Sequence, residues 1–325
     1  MNLPRIPVLV LFGPTASGKT SLAGRLFSSD ASSFFGPVAR IISADSMQVY
    51  RGMNIGTAKP DADFLQKLPH HLIDIADPSQ QFDAAQFVEL ADKACSEIFS
   101  RKKLPVICGG TAFYIKNFIF GLPVTPESDE NVRNMLKEQA KTLGVQAMYQ
   151  RLQAVDPERA AILHVNDEYR ILRALEVYET TGKPLTSFML KEEMRDLYDF
   201  YIFALERPRQ ELYERINLRV EQMMNDGLAE EFFSLIDQGY KQSDPGMQAI
   251  GYREFFMVQQ QSGCDIKNVD LQQVAELIQS DSRKYAKKQM TFFKTVKQAR
   301  WFNAQNEEEI IESIKEIISK YDFVR

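Results

Sequence analysis

Short hydrophobic runs alternate with longer amphipathic stretches over the first 125 residues of the chain. The apolar runs lie at residues 6–12, 38–43, 72–75 and 104–108, and helical patterns lie at 21–27, 84–99 and 113–120. Short apolar runs bounded by turn residues are typical of buried strands, and strands that alternate with helices indicate βαβ units. The pattern therefore predicts an α/β core with a parallel sheet.

The pattern changes after Pro123, where the following apolar residues fall at helical spacing. Three helices are predicted there: one from Ser128 that ends at Gly144, one that starts at Asp156-Pro157, and one from Asn166-Asp167 to Gly182. The next strand-like run is 200–205, followed by helical patterns at 211–226, 228–238, 271–297 and 307–320. We therefore predict a core at 1–125 plus 199–325 and an all-helical insertion at 126–198.

Composition excludes a membrane protein and favours a cytoplasmic one. Hydrophobic residues make up 44% and charged residues 26% of the chain, and no segment approaches the roughly 18 consecutive apolar residues of a membrane helix. The three cysteines are widely spaced and lack a CxxC pair, which argues against a disulfide framework and a zinc site. We expect a monomer in a reducing cytoplasm.

The net charge of −5 would argue against a nucleic-acid partner, but the charge is unevenly distributed. Between residues 283 and 300 the chain carries seven basic residues and no acidic one: Arg283, Lys284, Lys287, Lys288, Lys294, Lys297 and Arg300. Aromatic residues are interleaved with them. This stretch is a candidate surface for RNA phosphates.

The clearest motif is GPTASGKT at residues 13–20, which matches the pattern GxxxxGK(S/T) between a predicted strand and a predicted helix. In such a P-loop the backbone N–H groups surround phosphate oxygens and the helix N-terminus adds positive potential. Lys19 neutralises phosphate charge, and the Thr20 hydroxyl is placed to reach Mg²⁺. The motif indicates a P-loop NTPase-like fold and a phosphate ligand, and it leaves open a kinase or NTPase that binds ATP or a transferase that releases diphosphate.

Asp45 comes directly after the second predicted strand, and ligands of open α/β sheets bind outside the carboxyl ends of the strands. We therefore expect Asp45 to face the P-loop, where a carboxylate could accept a proton from an attacking group or hold Mg²⁺ through water. A strand-end aspartate that merely caps the next turn is the alternative.

The run that begins at Asp45, DSMQVYRGMNIGTAKP at residues 45–60, closely resembles the signature of the bacterial tRNA dimethylallyltransferases. Further similar motifs follow in that family's order: PHHLID at 69–74, GGTAFY at 109–114, ND at 166–167 with RALE at 173–176, IGYRE at 250–254 and AKKQMT at 286–291. The resemblance spans nearly the whole chain. One departure is Lys288, where the family commonly has arginine, so that the charge is kept and planar bidentate binding of phosphate is lost.

The resemblance implies that a dimethylallyl group is transferred from dimethylallyl diphosphate to N6 of adenosine 37, in the anticodon stem-loop of tRNAs that read codons beginning with U. It implies Asp45 as general base, with Thr111 and Lys19 in the active site and Mg²⁺ as cofactor. The residues implied for the diphosphate are Gly13, Thr15, Ala16, Ser17, Gly18, Lys19 and Thr20, to which we add Arg170 and Arg173. The residues implied for tRNA are Asp45, Ser46, Met47, Gln48, Thr111, Arg133, Tyr169, Arg170, Ile171, Leu172, Arg173, Gln248, Ala249, Ile250, Gly251, Tyr252, Arg253, Lys287, Lys288, Gln289, Thr291 and Lys294.

Three other functions are compatible with parts of this pattern. A small-molecule kinase could use the same P-loop, and it would phosphorylate its substrate with ATP. A related enzyme that prenylates free adenine nucleotides would not need the basic stretch or the insertion. A non-catalytic RNA-binding protein would have no use for an intact Lys19, Thr20 and Asp45.

Overall fold

The protein is described by a computed structural model that covers residues 5–123, 125–126, 128–189 and 193–324. The chain forms two compact units, the first made of Met1–Ile119 and Arg195–Arg325 and the second of Phe120–Met194. The second unit begins and ends a few residues before the predicted range 126–198. Arg195 belongs to the first unit because its guanidinium donates to both carboxylate oxygens of Asp92, at 2.9 and 2.6 Å.

Six parallel strands build the sheet of the first unit in the order β3-β2-β4-β1-β5-β6. The strands are β1 (Ile6–Phe12), β2 (Ala39–Ser43), β3 (His70–His71), β4 (Leu104–Gly109), β5 (Tyr198–Glu206) and β6 (Arg300–Asn303). The helices of the chain are α1 (Lys19–Phe27), α2 (Ala62–Lys67), α3 (Ala84–Ser100), α4 (Ala112–Phe120), α5 (Glu130–Leu143), α6 (Val145–Val155), α7 (Pro157–Ile162), α8 (Glu168–Thr181), α9 (Arg209–Asn225), α10 (Leu228–Asp237), α11 (Arg253–Ser262), α12 (Leu271–Phe293) and α13 (Glu307–Ser319). The predicted α/β class with a parallel sheet is confirmed.

The sheet is buried on both faces, which explains the continuous hydrophobic runs of its strands. Residues 8–12 of β1 are fully buried. On one face Leu9 and Leu11 share a core with α1 and α13. On the other face the Phe12 ring stacks on Phe293 of α12 with 4.5 Å between ring centroids, so that the last long helix packs beside the end of β1.

The structure corrects several element boundaries. The run 72–75 is not a strand, because Leu72 and Asp74 adopt left-handed φ angles of 64° and 56° that end the strand at His71. Helix α12 ends at Phe293 and not at residue 297. Strand β6 and helices α2, α6 and α11 were not predicted, and β6 gave no signal because it has only four residues.

The described part of the second unit contains helices α5–α8 and a short 3-10 turn, with no strand. Asp156 and Asp167 cap the N-termini of α7 and α8 through side-chain hydrogen bonds, and Gly144 and Gly182 end α5 and α8, as the sequence predicts. Helix α5 is capped by Asp129 and begins at Glu130, two residues after the predicted start at Ser128. Leu136, Leu152, Ile171 and Leu175 are fully buried in a core of its own. Over the described residues of the chain, no helix has both the length and the hydrophobicity needed to cross a membrane.

Candidate active site

The P-loop, residues 13–20, joins β1 to α1 and wraps around the N-terminus of the helix. Gly18 caps α1 with a left-handed φ of 98°, and a Cβ at Gly13 would lie 2.8 Å from the backbone oxygen of Leu205, so that both positions favour glycine. The Lys19 Nζ donates to the backbone oxygens of Gly13 and Pro14, each at 2.8 Å. The loop thus holds its lysine across its own carbonyl groups.

Burial lowers the pKa of Lys19 to about 8, and the neighbouring Arg219 contributes in the same direction. Burial therefore disfavours the charged form of the lysine. An anion bound there would offset the cost of burying the ammonium group and would favour its protonated form.

Three arginines outside the predicted site residues contact the P-loop. Arg207 donates from Nε to the Ser17 oxygen at 2.9 Å, and Arg215 donates from Nε to the Ala16 oxygen at 2.9 Å. Arg219 donates to the Thr15 hydroxyl at 3.2 Å, and burial lowers its pKa. Arg215 and Arg219 lie four residues apart on α9 and so share one helix face, which makes the loop strongly cationic.

Asp45 and Thr111 follow β2 and β4, which are neighbours in the sheet. The Asp45 Oδ1 accepts from the backbone N–H of Met47 at 2.9 Å and of Gln48 at 3.4 Å. The Ser46 N–H donates to the Thr111 Oγ1 at 2.9 Å, which joins the two loops. The predicted approach of Asp45 to the P-loop is present, since Asp45 and Lys19 line the same cavity and the carboxylate favours the charged form of the lysine.

Gln289 of α12 fastens the P-loop to the Gly-Gly-Thr segment. Its Oε1 accepts from the Thr15 N–H at 2.9 Å and its Nε2 donates to the Gly110 oxygen at 2.7 Å, while only 4% of the residue is exposed. Tyr285, one turn earlier, lies beside Thr111 and Gln289, and burial of its hydroxyl, with Asp45 next in effect, raises its pKa to about 12.

These groups line a cavity of about 330 Å³ in the first unit. Its polar lining includes Thr15, Lys19, Thr20, Asp45 and Arg219. Part of the wall is apolar, with Ile216, Val220 and Met223 of α9 and Ile278 of α12. A cavity that joins a cationic phosphate site to an apolar wall suits a ligand with an anionic head and a small hydrocarbon group.

The oxygen donors of this cavity fit a Mg²⁺ ion that is bound together with phosphate. Thr20 offers a hydroxyl and Asp45 a carboxylate, which are ligands that Mg²⁺ accepts alongside water and phosphate oxygens. Among the residues that the structure describes, no group of three or more His, Cys, Asp and Glu could hold a metal ion. The fit therefore depends on oxygens that the ligand itself would supply.

Several residues predicted to contact tRNA line the same cavity: Asp45, Ser46, Met47, Gln48, Gln248, Ala249, Ile250, Arg253 and Gln289. Arg253 also pairs with Asp281 at 2.6 Å and Glu254 at 3.0 Å. On the outer face of α12 and just beyond it, the side chains of Lys287, Lys288, Thr291 and Lys294 are exposed.

Packing corrects the role expected of two side chains. Ile171 is buried in the core of the second unit and Tyr252 is fully buried with its hydroxyl on Glu231, so neither side chain has a surface for tRNA. Leu172 and Gln289 are also largely buried but keep a small area at the cleft of the second unit and at the cavity, and their contact with tRNA stays a prediction. Ala249 and Gly251 are buried too, so any contact there would involve the backbone.

In the second unit, Arg133, Tyr169 and Arg173 line a cleft of about 410 Å³. Glu176 is 1% exposed and accepts from Arg133 at 3.3 Å and from Arg173 at 2.8 Å. Arg170 pairs with Asp167 at 2.8 Å, and the Tyr169 side chain is 75% exposed. The contact of Arg170 and Arg173 with a diphosphate stays a prediction.

A family model described as IPP transferase matches residues 48–296. A tRNA dimethylallyltransferase of Geobacter sulfurreducens is 43% identical over 295 residues, which cover 90% of this chain and 91% of that protein. The crystal structure of a full-length tRNA isopentenylpyrophosphate transferase from Bacillus halodurans superposes with a TM-score of 0.65 at 36% identity and covers 97% of this chain and 96% of that one.

A eukaryotic dimethylallyltransferase acting on tRNA superposes with a TM-score of 0.77 over 98% of this chain and 81% of its own. Its identity is 24%, so it supports the fold alone. The P-loop and Asp45 lie before the range of the family model. The alignments with the Geobacter sulfurreducens and Bacillus halodurans proteins, however, span nearly the whole length of those proteins.

Proposed function

The chain belongs to the IPP transferase family, and on this premise we propose that it transfers a dimethylallyl group from dimethylallyl diphosphate to N6 of adenosine 37 in tRNAs that read codons beginning with U. The cavity in which the P-loop, Asp45 and an apolar wall meet carries this proposal. A phosphate loop, a carboxylate and a hydrocarbon surface are the groups that such a transfer needs.

The diphosphate is held at the cationic end of the cavity. Lys19, Arg219 and the N–H groups of the P-loop supply positive charge there, and Arg207 and Arg215 hold the loop in place from its carbonyl side. Charge on the two departing phosphates increases as the carbon–oxygen bond breaks, so fixed cations stabilise the transition state more than the bound substrate. Mg²⁺ held by Thr20 would supply further charge neutralisation to the diphosphate oxygens.

Asp45 acts as general base on the adenine. The N6 lone pair is delocalised into the ring, so the amine becomes a good nucleophile only as its proton is removed. As N6 bonds to the allylic carbon, the bond from that carbon to the diphosphate oxygen breaks, and Asp45 accepts the N6 proton. The carboxylate is already oriented by the N–H groups of Met47 and Gln48.

We propose that the tRNA contacts the exposed cations of α12 and the cationic cleft of the second unit. Three exposed positive charges lie on α12 and directly after its end, at Lys287, Lys288 and Lys294. In the second unit, Lys137 and Lys141 extend the row of Arg133 along α5 at a spacing of four residues. Such surfaces bind phosphates and position the nucleic acid. We further propose that the enzyme is a cytoplasmic monomer.

Incubation with unmodified tRNA and radiolabelled dimethylallyl diphosphate tests the reaction directly. We expect label in the tRNA, at adenosine 37, and none in AMP supplied at the same concentration. Label in AMP but not in tRNA would favour the free-nucleotide enzyme. Absence of label from RNA, with ATP-dependent phosphorylation of a small molecule, would favour the kinase, which the family match does not support.

A further inference from the structure

Glu231, on the first turn of α10, holds the segment of residues 54–58, called here the 54–58 loop. Its carboxylate accepts from the backbone N–H groups of Asn54 at 2.8 Å, Ile55 at 2.9 Å and Gly56 at 3.1 Å. It also accepts from the Tyr252 hydroxyl at 2.6 Å. Both carboxylate oxygens are used, and among the residues that the structure describes the donors that reach them come from the loop and from Tyr252 at its side.

The 54–58 loop depends on this support because its backbone is not in a low-energy conformation of its own. Ala58 has a left-handed φ of 48°, which is costly for a residue with a side chain. Gly56 packs so closely on the Tyr252 ring that a Cβ there would lie 2.5 Å from ring atoms. Three consecutive N–H groups facing one carboxylate fix the turn by hydrogen bonds to a charged acceptor.

The far side of the loop orients Gln48. The Gln48 Nε2 donates to the backbone oxygens of Thr57 and Ala58, each at 3.3 Å, and its Oε1 accepts from the Ser43 hydroxyl at 3.1 Å. Both hydrogens of the amide are therefore used by the loop, and one acceptor position of Oε1 is left. Gln48 and Asp45 line the same cavity, which the proposed function assigns to the adenine that is modified.

We propose that Glu231 is a positioning residue for acceptor specificity: it fixes the 54–58 loop, whose carbonyl groups turn the Gln48 amide so that Oε1 accepts from an exocyclic amine. The inference rests on the proposed function. An adenine amine would donate to Oε1, whereas the carbonyl oxygen of a 6-oxopurine would face another acceptor and be rejected. Loss of Glu231 frees the loop, and the amide can then turn its NH₂ group towards the base.

The experiment compares tRNA with adenosine at position 37 and tRNA with inosine at position 37, which differ by the exchange of the amine for a carbonyl. Each is used as a ligand in binding competition, with the wild type, Glu231→Gln, and Glu230→Gln as the matched control on the exposed neighbouring residue. Binding of inorganic diphosphate with Mg²⁺ is measured by calorimetry on the same proteins. Transfer to tRNA by the wild type is recorded first, so that failure of the proposed function is seen separately.

We expect Glu231→Gln to lower the preference for adenosine over inosine by about tenfold, because its NH₂ group opposes at least one of the loop donors. Diphosphate affinity should stay within about twofold of wild type, and Glu230→Gln should keep the full preference. Tyr252→Phe keeps the Glu231 carboxylate and removes one of its donors. Its preference for adenosine over inosine should therefore fall between those of Glu231→Gln and Glu230→Gln. An unchanged preference in both Glu231→Gln and Tyr252→Phe would overturn the proposal, as would a joint loss of tRNA and diphosphate binding.

Discussion

Replacement of Asp45 by asparagine tests the assignment of the base most directly. Asparagine keeps an oxygen at the Oδ1 position, which can still accept from the N–H groups of Met47 at 2.9 Å and Gln48 at 3.4 Å. The loop after β2 should therefore keep its conformation. What is lost is the ability to accept the N6 proton, and general base catalysis contributes about a hundredfold to ten-thousandfold to a rate.

We expect Asp45→Asn to lower single-turnover transfer by that factor, which corresponds to about 3 to 5 kcal/mol in the activation free energy. Diphosphate should bind as well as to wild type or slightly better, because Asp45 is a negative charge that interacts with Lys19 and Arg219. The assay is rapid-quench transfer of labelled dimethylallyl groups to saturating tRNA, with filter binding for tRNA affinity. Asp63→Asn, on an exposed residue of α2, is the control.

A transfer rate within about fivefold of wild type would refute Asp45 as the base, since general base catalysis is worth more than that. A rate loss matched by an equal loss of tRNA affinity would instead make Asp45 a binding residue.

Exchange of Lys287 and Lys288 together for glutamine should weaken tRNA binding and lower the slope of log affinity against log salt by about one to two, as measured by filter binding at several ionic strengths. An unchanged slope would place the RNA elsewhere. The affinity for diphosphate should be full below pH 8 and decline as the pH rises through about 8. The reason is that the pKa of Lys19 is lowered to about 8 in the free protein and only the protonated lysine attracts the anion. Calorimetry from pH 6.5 to 9.5 measures this dependence. A flat profile would contradict it. Gln289→Leu leaves two buried backbone groups without partners and should lower the free energy of unfolding by about 2 to 5 kcal/mol. Gln273→Leu, on the exposed face of the same helix, should change it little. Urea denaturation compares the two variants, and equal midpoints would refute the role of Gln289 in fastening the P-loop.

The parts of the site that follow strands could be predicted from the sequence. The P-loop ends β1, Asp45 follows β2 and Thr111 follows β4, and parallel strands bring their carboxyl ends to one edge of the sheet. The apolar runs identify the strands, so the order of the motifs along the chain is enough to place these residues together. Their roles in catalysis stay predictions, because a shared edge does not establish a reaction.

The parts that come from helices could not be predicted in the same way. The spacing of Arg215 and Arg219 puts them on one face of α9, but nothing in the spacing says that this face packs on the P-loop. The resemblance implies a contact of Gln289 with tRNA, whereas the structure shows its amide turned inwards to Thr15 and Gly110, with 4% of the residue exposed. Tertiary packing, which no local pattern encodes, decided both cases.

These helix contacts explain how a common phosphate loop can serve a leaving group. In the P-loop alone, Lys19 and the backbone N–H groups face the ligand, and they would hold the phosphates of a nucleotide equally well. Here Gln289 takes the N–H of Thr15 for the protein's own structure, and Arg219 donates to the Thr15 hydroxyl. Arg219 belongs to α9, the helix that also supplies Ile216 and Val220 to the lining of the cavity. In the proposed reaction a single helix would therefore contribute both a cation for the departing diphosphate and apolar lining for the hydrocarbon group, a combination that a kinase, which transfers a phosphate to its substrate, does not need.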